Sequence, residues 1–311
     1  MAQEVYDVVV VGSGPAGLTA AIYTVRGAAS TLVMGGVNWG GQLMLTTQVE
    51  NFPGFPDGIL GPDLMAKMRQ QAEKQGAKFL EKKVDSVVFS KIPFEVVSGE
   101  KVFRAKAVII ATGALTRWLE VPGEKELIGR GVSACAPCDA PFFKGKKVAV
   151  VGGGDTAMEE ASVLTKFASE VVLIHRSASF RASEAMQQKV FQNPKIKVLW
   201  NTEVTKINGQ EKVESLDLVN SVTNRTSRLM VDGVFVAIGH KPDSDLFKGQ
   251  VEMDEKGFIK VTGGHSRTSV PGVFVAGDVM DPTYKQAVTA AGSGGAAALD
   301  TLNYLAQNNL S

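Results

Sequence analysis

The chain has 311 residues, 44% hydrophobic and 21% charged, enough apolar material for two ordinary soluble domains with a core each. Its 33 basic and 32 acidic residues leave a net charge of +1 with no long run of either sign, which argues against nucleic acid or an anionic membrane as partner. Two cysteines are too few for a secreted disulfide framework, and neither a leader pattern nor a membrane-length apolar stretch is evident, so a soluble cytoplasmic protein is the expectation.

From the N-terminus, the apolar strand Val5 to Val11 runs into Gly12-Ser13-Gly14-Pro15-Ala16-Gly17. Leu18, Ala21, Ile22 and Val25 then recur at helical spacing. In a strand, G-x-G-x-x-G, helix unit the first glycine permits a tight turn and the second lets the backbone approach a pyrophosphate. The third position must be small for helix–strand packing, and the helix N-terminus adds N–H donors. The second strand ends Leu32-Val33-Met34-Gly35, without the acid that commonly binds a ribose. Short alternating strands follow, and Val108-Ile109-Ile110 closes the unit at the turn Ala111-Thr112-Gly113.

The two cysteines come next, as Cys135-Ala136-Pro137-Cys138-Asp139. A C-x-x-C spacing brings two sulfurs close enough for a small disulfide ring and tends to lower the pKa of one thiol. Asp139 is placed to hold or deliver the proton that moves when such a ring opens. Tetrahedral zinc needs four ligands, and only His175, His240 and His265 remain as the usual partners, so a redox pair is the stronger reading and no metal is expected.

A second copy of the opening plan then starts at Lys147 to Val151, continues through Gly152-Gly153-Gly154-Asp155-Thr156-Ala157, and carries Ala157, Ala161 and Leu164 on one helix face. Its next strand ends Leu173-Ile174-His175-Arg176, again without an acid. An arginine there favours the 2′-phosphate of NADP through charge-assisted hydrogen bonds, and Arg181 is within reach of the same phosphate; the alternative is two surface arginines. Val234 to Ala237 closes this unit at Ile238-Gly239. The remaining tail holds one more apolar strand, Val273 to Ala276, ending at Gly277-Asp278, and an Ala-rich helix from about Lys285 to Ala306. It is too short for a third domain. Asp278 is either a flavin-side carboxylate or a turn former.

The expected fold is therefore α/β: two Rossmann-like, three-layer ββα dinucleotide-binding domains, the second inserted in the first. Residues 1–113 and 244–311 would form a discontinuous FAD-binding domain. Residues 114–243 would form an NADPH-binding domain that carries the C-x-x-C pair.

The chain resembles the low-molecular-weight thioredoxin reductases over essentially its whole length. The resemblance is carried by GSGPAG at 12–17, GGQL at 40–43, ENFPG at 50–54, ATG at 111–113, GVSACAPCD at 131–139, VGGGDTAMEEA at 151–161, FVAIGHKP at 235–242 and TSVPGVFVAGDV at 268–279. It implies a homodimer that passes electrons from NADPH through FAD to a Cys135–Cys138 disulfide and on to thioredoxin, with domains that rotate to alternate nicotinamide and disulfide at the flavin. By similarity Cys138 faces the flavin, Cys135 attacks thioredoxin, and Asp139 is the acid. FAD would be held by Gly12, Gly14, Pro15, Ala16, Gly17, Gly41, Gln42, Asn51, Ala111, Thr112, Gly113, Gly277, Asp278, Lys285, Gln286 and Ala287. NADPH would be held by Gly152, Gly154, Asp155, Thr156, Ala157, His175, Arg176, Arg181, Ile238 and Gly239. Phe142 and Phe143 would either dock thioredoxin or pack in the core.

Three positions depart from the family pattern. Ser177 stands where a second arginine is usual, which weakens 2′-phosphate recognition. Lys285 replaces an arginine, and Ala140 replaces the glycine after the acid. Dithiol oxidases of the same fold would lose the second glycine loop, which this chain keeps together with Arg176 and Arg181, and the same residues disfavour a ferredoxin-linked relative. A nucleotide-sensing scaffold is disfavoured because every redox element is present.

Overall fold

A strand of consecutive valines is stable only where both of its faces are covered, and Val5–Val11 is placed so. A computed structural model of the chain describes residues 5–37 and 39–310. Val5–Val11 pairs in parallel with Thr31–Met34 on one side and with Lys101–Ile110 on the other. Lys78–Leu80 extends the sheet beyond Thr31–Met34, and Val273–Val275 adds in parallel to the end of Lys101–Ile110. The start of that long strand also pairs with the antiparallel hairpin Ser86–Val88 and Phe94–Ser98.

Side chains alternate across the sheet and so feed two cores. Val9, Val11, Val108 and Ile110 pack with Phe89, Phe94 and Phe247 on one face. Val8, Val10 and Ile109 pack on the other against Ala20, Ala21, Ala297 and Ala298 of helices Pro15–Arg26 and Ala287–Gln307. These helices touch through their smallest residues: a Cβ on Gly294 would lie 2.1 Å from the Ala16 carbonyl oxygen.

The second unit repeats the plan. Its parallel sheet runs Val132–Ser133, Gly233–Ala237, Lys147–Gly152, Glu170–Ile174, Ile196–Leu199. Val148 and Val150 face helix Asp155–Leu164, while Ala149 and Val151 face the antiparallel sheet Thr202–Asn208, Ser215–Asn220, Thr226–Met230. The first unit takes the chain up to Leu115 and again from Lys241; the second spans Thr116–His240. No described helix is long and apolar enough to cross a membrane.

The last helix begins at Ala287, two residues later than its composition predicts. Lys285 has φ +49°, a left-handed conformation that a helix cannot contain, and Gln286 then caps the helix through a reciprocal pair with Thr289.

Two glycines of this helix are expected to behave oppositely. Gly294→Ala forces a methyl into the Ala16 carbonyl and should destabilise the protein by about 1–3 kcal/mol. Gly292→Ala meets nothing within 4 Å and should gain up to about 1 kcal/mol of helix propensity. Thermal midpoints that move in the same direction for both would contradict this packing.

Candidate functional site

The loops that follow parallel strands meet at one sheet edge, and in the first unit three predicted loops do so. Residues 12–17 follow Val5–Val11, 111–113 follow Lys101–Ile110, and 276–278 follow Val273–Val275. Gly12 has φ +115°, and a Cβ there would sit 2.1 Å from the Ala111 carbonyl oxygen. A Cβ on Gly17 would sit 2.1 Å from the Gly12 carbonyl oxygen, whereas one on Gly14 meets nothing within 4 Å. Open space beside the second glycine is what a pyrophosphate needs. Pro15 is the first helical residue, and Gly14 as N-cap puts no side chain over the first-turn N–H groups, which leaves donors for an anion.

Of the other predicted residues, Gly41, Thr112 and Gly277 abut this turn, and the rest are tied to neighbours of their own. Gly41, at φ +67°, comes within 3.5 Å of the Gly14 Cα by its added Cβ. Gln42 donates from Nε2 to the Ala114 carbonyl at 3.0 Å. Asn51 donates from Nδ2 to Gln286 Oε1 at 3.2 Å, a contact between residues 235 positions apart. Thr112 donates to the Asp243 carbonyl at 2.6 Å, and the Gly113 carbonyl accepts the Asp243 N–H at 2.9 Å. Gly277, at φ +78°, abuts Ala16 in the first turn of the helix, and the part-buried Asp278 is the next residue in the chain. Burial, and secondarily the charge of Asp281, push the Asp278 carboxyl from 3.8 up to about 6, with Lys285 opposing. Ala287 opens the last helix. Ser13 and Ser293 also serve the site. Ser13 donates to the Gly35 carbonyl and accepts the Gly40 N–H, both at 3.0 Å, and Ser293 Oγ accepts the Gly277 N–H at 2.9 Å. A serine inside a glycine motif or a helix carries no signal of such a tie.

The second loop has matching geometry. A Cβ on Gly152 would lie 2.4 Å from the Ala237 carbonyl oxygen and 2.7 Å from the Ala157 Cβ, while one on Gly154 meets nothing within 4 Å. Gly154 is the N-cap of Asp155–Leu164 and again offers no side-chain cap. Asp155 turns away to accept the Ser183 N–H at 2.9 Å and its hydroxyl at 2.8 Å, bonds that hold its carboxyl below the ordinary value. Thr156, Arg176, Ser177 and Arg181 are exposed, and Ile238 and Gly239 follow the strand Gly233–Ala237. His175 is buried at 6% exposure, and its Nε2 donates to the Ser179 carbonyl at 2.9 Å.

Cys135 and Cys138 form a disulfide with Cα atoms 5.3 Å apart. The turn Ala136–Asp139 folds back so that the N–H groups of Cys138 and Asp139 both donate to the Cys135 carbonyl, at 3.2 and 3.1 Å. Ser133, buried, accepts the Cys135 N–H at 3.1 Å and donates to the Asp139 carboxylate. Burial pushes the Asp139 carboxyl up, and the Ser133 hydrogen bond opposes the rise. Ser133 thus joins the backbone of one cysteine to the neighbouring acid, a link that sequence spacing does not reveal. Ala140 has φ −54° and is fully buried, so its position has no conformational need for glycine. The aromatic pair divides: Phe143 is a core residue set edge-on to Phe235 at 5.2 Å, and Phe142 is 40% exposed.

Two dinucleotide cradles and a redox disulfide in one chain define a class, and comparison with known proteins agrees. Residues 6–294 match the family described as pyridine nucleotide-disulphide oxidoreductase. The chain belongs to that family. The thioredoxin reductase of Mycolicibacterium smegmatis is 52% identical over 307 residues, 99% of either chain. The bifunctional thioredoxin reductase/thioredoxin of Mycobacterium leprae is 50% identical, covering 98% of this chain and 67% of the relative. The structure of thioredoxin reductase from Giardia duodenalis matches with a TM-score of 0.93 at 44% identity, over 98% of this chain and 100% of that one. Within the family the chain stands with the thioredoxin reductases. The family implies a flavin and a nicotinamide nucleotide, and the open space at Gly14 and Gly154 fits two dinucleotides.

Two titrations check the electrostatics. Replacing Ser133 by Ala removes a donor that favours the Asp139 carboxylate, so the Asp139 titration followed by carboxyl NMR should move to higher pH; a move to lower pH contradicts the link. For Asp278, the folded state keeps a proton between pH 3.8 and about 6 that the unfolded chain releases. Stability attached to this group is therefore full below pH 3.8 and is lost as pH rises to about 6. The difference in thermal midpoint between Asp278→Asn and the parent should move in favour of the variant from pH 4 to pH 7, and a flat difference would refute the assignment.

Proposed function

We propose that the protein is an NADPH-dependent thioredoxin-disulfide reductase, with FAD on the Gly12–Gly17 loop and NADPH on the Gly152–Ala157 loop. The observation that carries this reading is the part-buried Cys135–Cys138 disulfide with Asp139 beside it, in a chain that holds two open glycine cradles. Arg176 and Arg181, exposed next to the second loop, support a 2′-phosphate over a free ribose hydroxyl. A relative that unites a thioredoxin reductase and a thioredoxin in one chain supports thioredoxin as the partner. The family resemblance supports a homodimer and a cytoplasmic setting.

In this reading the bound cofactors supply a hydride from the nicotinamide and an electron pair delivered through the flavin ring. The chain supplies the rest. The S–S bond opens with Cys138 taking up the electron pair and Cys135 leaving as a thiolate, with the Asp139 carboxyl adjacent in the turn as a proton source. Asp139, kept protonated to a higher pH by burial, can give its proton to a nascent thiolate and recover it later. The Cys135 thiolate then attacks the thioredoxin disulfide, which forms a mixed disulfide and expels one thioredoxin thiolate. Cys138 attacks Cys135 in that intermediate, re-forms the internal disulfide and expels the second thiolate. Two electrons and two protons enter per dithiol released.

The test is anaerobic. NADPH should bleach the flavin band and oxidised thioredoxin should restore it. Cys135→Ser and Cys138→Ser should keep the bleaching but lower thioredoxin reduction by about 1,000-fold or more, since residues of one catalytic unit fail together. Absence of bleaching by NADPH would overturn the reading and point to a dithiol oxidase.

A further inference from the structure

Gly153 stands at a position of the G-x-G-x-x-A loop where the fingerprint asks for nothing in particular, and it has no left-handed φ that would call for glycine. Space accounts for it. A Cβ there would lie 2.1 Å from Cε1 and 2.3 Å from Nδ1 of His175, so the imidazole edge occupies the place of the missing methyl. On its other side the His175 ring rests against Phe180 and Trp200, at 5.2 and 6.1 Å between centroids, and those two rings pack on each other at 4.3 Å.

The carbonyl oxygen of the same glycine gathers the following loop. It accepts the N–H groups of Arg181 at 2.8 Å and Ala182 at 3.2 Å. Nε2 of His175 holds the Ser179 carbonyl from within the loop, and Asp155 holds Ser183 at its end. A carbonyl only accepts, so Nε2 carries the hydrogen. The Cε1–Nδ1 edge faces Gly153 and the ring is buried, so it is not presented to a phosphate oxygen. The backbone of His175 is also committed: its N–H donates to Leu199 and its carbonyl accepts from Thr202.

We propose that His175 and Gly153 are a positioning pair, ring against glycine, that folds the 176–183 loop onto the second glycine loop and so presents Arg176 and Arg181 to the 2′-phosphate, with His175 itself making no phosphate contact. This rests on the NADPH reading above. With Ser177 in place of a further arginine, the two guanidiniums must act from fixed positions, so discrimination between NADP and NAD depends on loop order.

The experiment uses the flavin-loaded protein and two readouts. The first is amide hydrogen exchange over residues 176–183 with no nucleotide added, for the parent, His175→Ala and Gly153→Ala. The second is the dissociation constant of NADP⁺ and of NAD⁺ for the same proteins and for the double variant. Both single variants should exchange faster at Arg181 and Ala182. If the loop is then competent about a tenth of the time, NADP⁺ should bind about tenfold more weakly while NAD⁺ changes by less than about twofold. The double variant should bind NADP⁺ no worse than His175→Ala alone, because the methyl enters the space that the ring vacates. Unchanged exchange, equal losses for the two nucleotides, or additive losses in the double variant would overturn the positioning role. A parent that binds NAD⁺ as tightly as NADP⁺ would instead sink the NADPH reading, with the exchange result still reporting the packing.

Discussion

In both units a strand ends, turns and becomes a helix in a space that leaves no room for a methyl group. The Ala111 carbonyl lies where a Cβ of Gly12 would be, and the Ala237 carbonyl lies where a Cβ of Gly152 would be. That contact lets the turn tuck under the end of a neighbouring parallel strand, so the helix N-terminus points across the sheet edge. Everything assembled at the edge depends on it. In the first unit Gly41 and Gly277 abut the turn. In the second unit the loop from His175 to Ser183 closes over it.

The two loops share backbone geometry and differ in what holds their surroundings. The first is tied by small hydroxyls: Ser13 bonds the Gly35 and Gly40 backbone, and Ser293 bonds Gly277. The second is tied by a ring and a carboxylate, His175 and Asp155. A pyrophosphate needs only backbone donors and space, so either arrangement serves. The second loop is also bordered by the exposed Arg176 and Arg181, on the segment that its Gly153 carbonyl gathers.

The redox turn is a separate device in the second unit. Its disulfide closes a tight turn by the shared Cys135 carbonyl, and Ser133 spans from the cysteine backbone to Asp139. Burial raises the Asp139 carboxyl and the Ser133 hydrogen bond opposes that rise. Ala140 and Phe143 anchor the turn to the core.

Local chemistry made much of this legible in the amino-acid order. Two glycine loops in strand–helix contexts, valine runs too apolar for a one-sided strand, and a C-x-x-C next to an aspartate each work through neighbours in the chain. They therefore specify class, duplicated α/β plan and redox chemistry without knowledge of distant contacts. What they leave open are the relations between residues far apart in sequence. The meeting of Asn51 with Gln286, the burial that lifts Asp278, the split of Phe142 from Phe143 and the ring of His175 against Gly153 all depend on which surfaces pack together. Packing is a property of volume and of the carbonyls and hydroxyls within reach, and a string of residue types records neither until the sheet has brought the loops to one edge.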